Sequence, residues 1–247
     1  MKLLLDIGNT RVKWGRASGS KLVASGSFQH QRQSISSARL DAAAGDPTEV
    51  REVWTASVAA APLVATIAAW ASARLGSTLR IATVQPAAFG VVCGYRDYQQ
   101  LGVDRWLALI GARALTSGPV CVVDAGTATT IDALDSGGRH LGGVILPGLR
   151  LMRRALATGT GQLPDVASGS APVFAAGTTD AILSGTLQAA CGAVERLVRA
   201  ATERCQAMPE LLMTGGDAAL LAARIGVPAR RDPLLVLKGL AIVAAAR

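Results

Sequence analysis

With 247 residues, half of them hydrophobic and only 17% charged, the chain is long enough for one large or two medium domains and too apolar for extended disorder. Its formal charge of +8 suits an anionic partner, but the Lys and Arg residues are scattered, and 4% aromatics offer no stacking platform for bases. A small anionic ligand therefore fits better than nucleic acid.

The first element is a buried strand over residues 2–7, KLLLDI. Three leucines broken at Asp6 do not read as a signal peptide. Residues 11–16 are its hairpin partner, and a turn at 17–20 leads to a third strand over 21–28. Strands at 52–58 and 80–84 flank a helix that starts near Pro62. Residues 53–73 carry no charge, yet Pro62 and several hydroxyls interrupt them, so a strand and a helix fit better than a membrane span. A Gly- and Tyr-containing loop, 89–102, opens into a helix over 104–115.

After Ser117-Gly118-Pro119 the pattern restarts. Residues 120–125 form a strand, 129–134 its partner, and 135–138 a turn into a third strand over 140–145. Helices follow Pro147 and cover 179–201. The run LLMTGG, 211–216, is a strand that breaks on two glycines into a helix over 217–224 with Asp217 as its cap. An Ala-rich helix over 233–246 closes the sequence. Each half thus begins with strand, Asp-x-Gly turn, strand, turn, strand, and then alternates helices and strands. This predicts an α/β fold of two duplicated domains, 1–117 and 118–247, with a ligand cleft between them.

The chemistry sits in the two acidic turns. In Asp6-Ile7-Gly8-Asn9-Thr10, Gly8 permits a tight bend that can approach a phosphate. The turn N–H groups and the Thr10 hydroxyl can donate to phosphate oxygens. Asp6 can hold Mg²⁺, a hard cation that takes oxygen ligands. An ordinary hairpin favours the same residue types. Recurrence as Asp124-x-Gly126-Thr127-x-Thr129-Thr130 makes chance a poor account of both. Asp132 faces the same region, as an accessory acid or a plain hairpin residue. The glycines of LLMTGG can admit a base and ribose. Neither a P-loop nor a Rossmann fingerprint is present. Four cysteines without a C-x-x-C pair (Cys93, Cys121, Cys191, Cys205) read as reduced thiols of a cytoplasmic protein. Two histidines, His30 and His140, are too few for a His-rich zinc site.

The order Asp-x-Gly-x-Thr, Asp-x-Gly-Thr, Gly-Gly resembles that of the actin-like ATPase and sugar/acetate kinase superfamily, with its duplicated ribonuclease H-like domains. DIGNT (6–10), GVDR (102–105), DAGTATTID (124–132), GGVILPG (142–148), TTDAI (178–182) and TGGDA (214–218) are, more narrowly, similar to type III pantothenate kinases, the family once described as Bvg accessory factor. The resemblance implies ATP-dependent phosphorylation of pantothenate, the first step toward coenzyme A. It implies Asp104 as the proton acceptor. It implies phosphate and nucleotide contacts from Asp6, Ile7, Gly8, Asn9, Thr10, Arg11, Val12, Lys13 and Thr127. It implies substrate contacts from Tyr95, Gly102, Val103, Asp104, Arg105 and Thr178, the last reaching a neighbouring subunit's substrate in a homodimer. A monovalent cation, K⁺ or NH₄⁺, is implied at Asp124, with Mg²⁺ near Asp6.

From the residues alone, Asp104 could equally be a helix N-cap. Tyr98 competes with Tyr95, and Thr179 with Thr178. Another small-molecule kinase or a polyphosphate phosphatase would share the phosphate turns, and a non-catalytic nucleotide-binding regulator is the rival from another class.

Overall fold

The computed structural model describes residues 1–30, 34–57 and 61–246. The chain divides into two compact units, residues 1–115 with 234–247, and residues 116–233.

The first unit is built on a five-stranded sheet. Strands β1 (Lys2–Ile7), β2 (Arg11–Ser18) and β3 (Lys21–Gln29) form an antiparallel meander. Strands β4 (Glu52–Ser57) and β5 (Leu79–Ile81) continue from β1 in parallel, giving the order β3-β2-β1-β4-β5. The predicted strand over 52–58 ends at Ser57; residue 58 lies outside the described residues. Leu3, Leu5 and Ile7 are fully buried on one face, against Leu63, Ile67 and Trp70 of α2 (Ala61–Leu75) and Leu40 of α1 (Ser37–Ala44). Fully burying such a side chain stabilises by about 1.5–3 kcal/mol. Helix α1 was not legible in the sequence. Between β5 and the next helix, β6 (Ala87–Ala88) and β7 (Val91–Val92) make a small hairpin. Its two turn residues, Phe89 and Gly90, both have positive φ, the geometry of a tight two-residue turn.

Helix α3 (Val103–Arg113) is buried from Arg105 through Ala112. That suits its LALI run, which has no polar face.

The second unit repeats the plan. Strands β8 (Val120–Ala125), β9 (Ala128–Leu134) and β10 (His140–Pro147) form the meander. β11 (Glu210–Thr214) and β12 (Arg230–Arg231) extend it in parallel, giving the order β10-β9-β8-β11-β12. Strand for strand the two sheets have the same connectivity, so the duplication read from the sequence is present in the fold. Cys121, Val123 and Ala125 pack against Leu187, Ala190 and Val194 of α5 (Thr178–Cys205), with Leu149 of α4 (Leu149–Gly159) and Leu221 of α6 (Ala218–Ala222). Arg230 and Arg231 are exposed, as expected of surface cations, but also form the edge strand.

The expected boundary between domains needs one correction. The last helix, α7 (Leu235–Ala245), belongs to the first unit, not to 118–247. It packs on α3 and on the β1–β4 sheet. The α3–α7 crossing is close because both helices present glycine. A Cβ on Gly239 would lie 1.9 Å from the Leu107 carbonyl oxygen, and one on Gly111 would lie 2.5 Å from that of Leu235.

Candidate active site

Within the first unit, Asp6 stands next to the end of β1, across from Lys13 and beside Ala56. The Gly8 N–H donates to the Arg11 carbonyl at 3.1 Å and closes the turn. Asn9, Thr10 and Arg11 are exposed at its tip. Ile7 and Val12 are fully buried in the core, so only their backbone can reach a ligand. Lys13 is half-buried, and the Arg11 guanidinium donates to the Ser27 hydroxyl at 3.0 Å.

A second group forms at the start of α3. The N-cap is Gly102, so Asp104 lies in the first turn and is not the cap. Its Oδ1 accepts from the Arg105 backbone N–H at 2.8 Å. Oδ2 has no hydrogen-bond partner among the described residues. A Cβ on Gly102 would lie 2.6 Å from Asp104 Oδ1, so a side chain there would displace the carboxylate. The Arg105 side chain is 5% exposed and donates from Nη1 to the Tyr95 hydroxyl at 2.8 Å. Tyr95 is thus joined to the Asp104–Arg105 pair. Tyr98 begins a short 3-10 turn whose N-cap is Asp97, and its carbonyl accepts from Leu101.

In the second unit, Asp124 lies beside Thr130 on β9 and Thr214 on β11. The Gly126 N–H donates to the Ala128 carbonyl at 3.0 Å, closing the turn, and Thr127 is exposed at its tip. The paired glycines come directly against this turn. Gly215 has φ +94°, and a Cβ on it would lie 2.4 Å from the Ala125 oxygen and 2.6 Å from Asp124 Oδ1. The Asp217 N–H donates to the same Ala125 oxygen at 2.9 Å, which straps the glycine loop to the end of β8. Asp217 occupies the N-cap position of α6 but makes no side-chain cap bond, contrary to its expected role. Burial pushes its carboxyl above the usual range, while the Arg153 guanidinium pulls it down. Asp132 is buried, with its carboxylate 2.8 Å from the buried His140 ring. Thr129 is likewise buried.

Thr178 begins α5 and lines a shallow cavity of about 520 Å³ with Leu156, Leu163, Ala175, Ala176 and Ala181. Thr179 instead lies against Gly169. Among the described residues no group of three or more His, Cys, Asp or Glu could cage a metal. Beside Asp124, the Thr214 hydroxyl is completely buried without a hydrogen-bond partner among the described residues. With the Asp124 carboxylate it could offer oxygen ligands to a cation.

Two copies of one five-stranded mixed sheet, each carrying an Asp-x-Gly turn at the end of its first strand, define the actin-like ATPase and sugar kinase fold. Solved structures share it: a protein described as a 2-dehydro-3-deoxygalactonokinase from Sinorhizobium meliloti (TM-score 0.58, 18% identity, 100% of this chain and 98% of that one) and one described as a Baf family transcriptional activator from Campylobacter jejuni (TM-score 0.58, 23% identity, 96% and 94%). The chain belongs to the type III pantothenate kinase family, whose family model matches residues 2–200. A type III pantothenate kinase from Aromatoleum aromaticum is 44% identical over 248 residues, covering 99% of this chain and 98% of the relative.

The sequence reading missed His30. Its ring Nε2 lies 2.8 Å from the Gly8 carbonyl oxygen, and its backbone N–H donates to the Thr10 carbonyl at 3.3 Å. No motif or spacing announces this, because the contact joins a strand end to a turn 22 residues earlier through the backbone.

Proposed function

We propose that the chain phosphorylates the primary hydroxyl of pantothenate with ATP, giving 4′-phosphopantothenate and ADP and opening the route to coenzyme A. Family membership supplies the substrate. The observation that carries the residue assignment is the Asp104 carboxylate, one oxygen fixed by the Arg105 N–H and the other open, beside the Arg105–Tyr95 pair.

Phosphoryl transfer needs an oriented hydroxyl and neutralised phosphate charge. Asp104 Oδ2 takes the hydroxyl proton as the pantothenate hydroxyl oxygen attacks the γ-phosphorus. The bond to the β–γ bridging oxygen breaks, and ADP leaves with its electron pair. Arg105 offers its guanidinium to the pantothenate carboxylate, a fork suited to two oxygens. Tyr95 holds Arg105 in that direction. Asn9, Thr10 and Arg11 in the first unit and Thr127 in the second offer N–H and hydroxyl donors to phosphates, and the loop at Gly215 and Gly216 takes the nucleoside. Asp6 would hold Mg²⁺ through an oxygen, and Asp124 with Thr214 a K⁺ or NH₄⁺ ion. These ions would offset the charge of the polyphosphate.

A homodimer agrees with the exposed apolar residues Leu151, Leu156, Val173 and Phe174 around α4 and the start of α5. Thr178 would then serve the neighbouring subunit's substrate. Four free thiols and the absence, among the described residues, of any helix long and apolar enough to cross a membrane agree with a cytoplasmic enzyme.

The test is ADP release with and without pantothenate, in K⁺ and in Na⁺ buffer. Pantothenate-dependent release that is faster in K⁺ is expected. Release indifferent to pantothenate overturns the reading.

A further inference from the structure

His30 has a consequence for the phosphate turn. A trans peptide is planar, with its C=O and N–H pointing in opposite directions. Fixing a carbonyl therefore fixes the N–H of the following residue. The His30 ring N–H donates to the Gly8 carbonyl oxygen, which turns the Asn9 N–H away from the ring. The His30 backbone N–H donates to the Thr10 carbonyl, which turns the Arg11 N–H the same way. Two carbonyls that would repel a phosphate are thus held back on one side of the turn. Left unpinned, either peptide could flip and present its oxygen to the anion.

The second unit supplies an internal comparison. His30 directly follows β3, and Gly148 directly follows β10, the equivalent strand. Gly148 also donates its N–H to the turn, at 3.0 Å from the Thr127 carbonyl. There the backbone packs directly on the turn: a Cβ on Gly148 would lie 2.2 Å from the Gly126 oxygen, the counterpart of Gly8 O. In the first unit an imidazole fills that place and adds a side-chain donor to the backbone one.

We infer that His30 is a positioning residue for ATP: its ring holds the Gly8–Arg11 turn with N–H groups presented to the phosphates. The inference rests on the kinase reading above, and the experiment separates the two. Wild type, His30→Ala and His30→Gln are compared by steady-state kinetics, by calorimetric titration with ATP, and by thermal unfolding. One hydrogen bond is worth about 0.5–1.5 kcal/mol, or about 2- to 12-fold in affinity. His30→Ala is expected to raise KM and Kd for ATP by that factor, with KM for pantothenate unchanged and Tm within a few degrees. His30→Gln, whose amide N–H can reach the same carbonyl, recovers most of the loss. Wild-type ATP affinity in His30→Ala overturns the inference, as does an equal rise in both KM values. If the wild type releases no ADP with pantothenate, the kinase reading fails, and the calorimetric ATP affinities still decide the role of His30.

Discussion

Gly102 leaves the Asp104 carboxylate room that any other residue would take: a Cβ on Gly102 would lie 2.6 Å from Asp104 Oδ1. The Gly102 backbone, at φ −59° and ψ 136°, is open to any residue. Its glycine therefore answers to the carboxylate and not to the chain's conformation. Gly102→Ala should leave folding nearly unchanged, because the group that yields is a side-chain end. It should displace the proposed base, and a misplacement of about 1 Å can cost on the order of 100-fold in rate. Asp104→Asn removes the proposed base altogether, for an expected loss of about 10²–10⁴ in kcat. ATP titrations on both variants should match wild type. Undiminished kcat in Asp104→Asn would remove that residue from the mechanism.

Arg105 is buried, and Tyr95 gives its guanidinium a hydroxyl partner. Tyr95→Phe deletes one acceptor of the Arg105 guanidinium while keeping the ring, and a hydrogen bond to a charged group is worth about 1.5–3 kcal/mol. Arg105 would then be less firmly directed, so KM for pantothenate should rise about tenfold while KM for ATP holds. Tyr98→Phe should change neither, since the hydrogen bond that Tyr98 makes in its turn uses the backbone carbonyl and survives the substitution. Kinetics of the two Phe variants, measured side by side, check which tyrosine serves the substrate.

Much of this arrangement was readable in the residues. Both meanders were, because their apolar strands are marked off by Asp-x-Gly and Ser/Gly turns whose conformational demands are local. So was the junction of the LLMTGG loop with the fold, to the extent that two glycines announce a close approach. Helix α1 was not: SARLDAAA is short and lies in a polar stretch, and it gains its place from Leu40 in the core and from Asp41, which accepts from Trp70 and Arg74. The two-residue strand β12 has no period to detect. The home of α7 was invisible for another reason. Chain order puts it in the second half, and only the paired glycines at 111 and 239 reveal which helix it crosses. At the site, Asp104's neighbours could be guessed from Gly102 to Arg105, but His30 acts through carbonyls and carries no local signature.

Cys121 should make stability sensitive to alkali. Burial pushes its thiol from 9.0 up to about 12, with smaller contributions from the Cys205 and Asp132 charges. The folded state keeps the proton where the unfolded state loses it. The thiol's contribution is therefore fully present below pH 9 and is lost as pH rises toward about 12. One proton corresponds to a slope of about 1.4 kcal/mol per pH unit. Denaturant titrations at a series of alkaline pH values should show this slope in wild type and a shallower one in Cys121→Ala. Equal slopes would show that the thiol titrates normally in the fold.

The two helix glycines Gly239 and Gly192 should respond oppositely to alanine. In α7, the methyl of Gly239→Ala would be driven to 1.9 Å from the Leu107 carbonyl oxygen, a backbone atom that cannot move without parting the helices. Overpacking of this kind costs about 1–3 kcal/mol, occasionally more. In α5, a Cβ on Gly192 meets nothing within 4 Å. Alanine there gains helix propensity worth about 0.8–1 kcal/mol. Urea unfolding should accordingly place Gly239→Ala below wild type and Gly192→Ala above it. Because α3 also carries Asp104 and Arg105 at its start, separating it from α7 should lower kcat in Gly239→Ala even where the protein remains folded. A Gly239→Ala variant as stable and as active as wild type would mean that α7 does not cross α3 through these glycines.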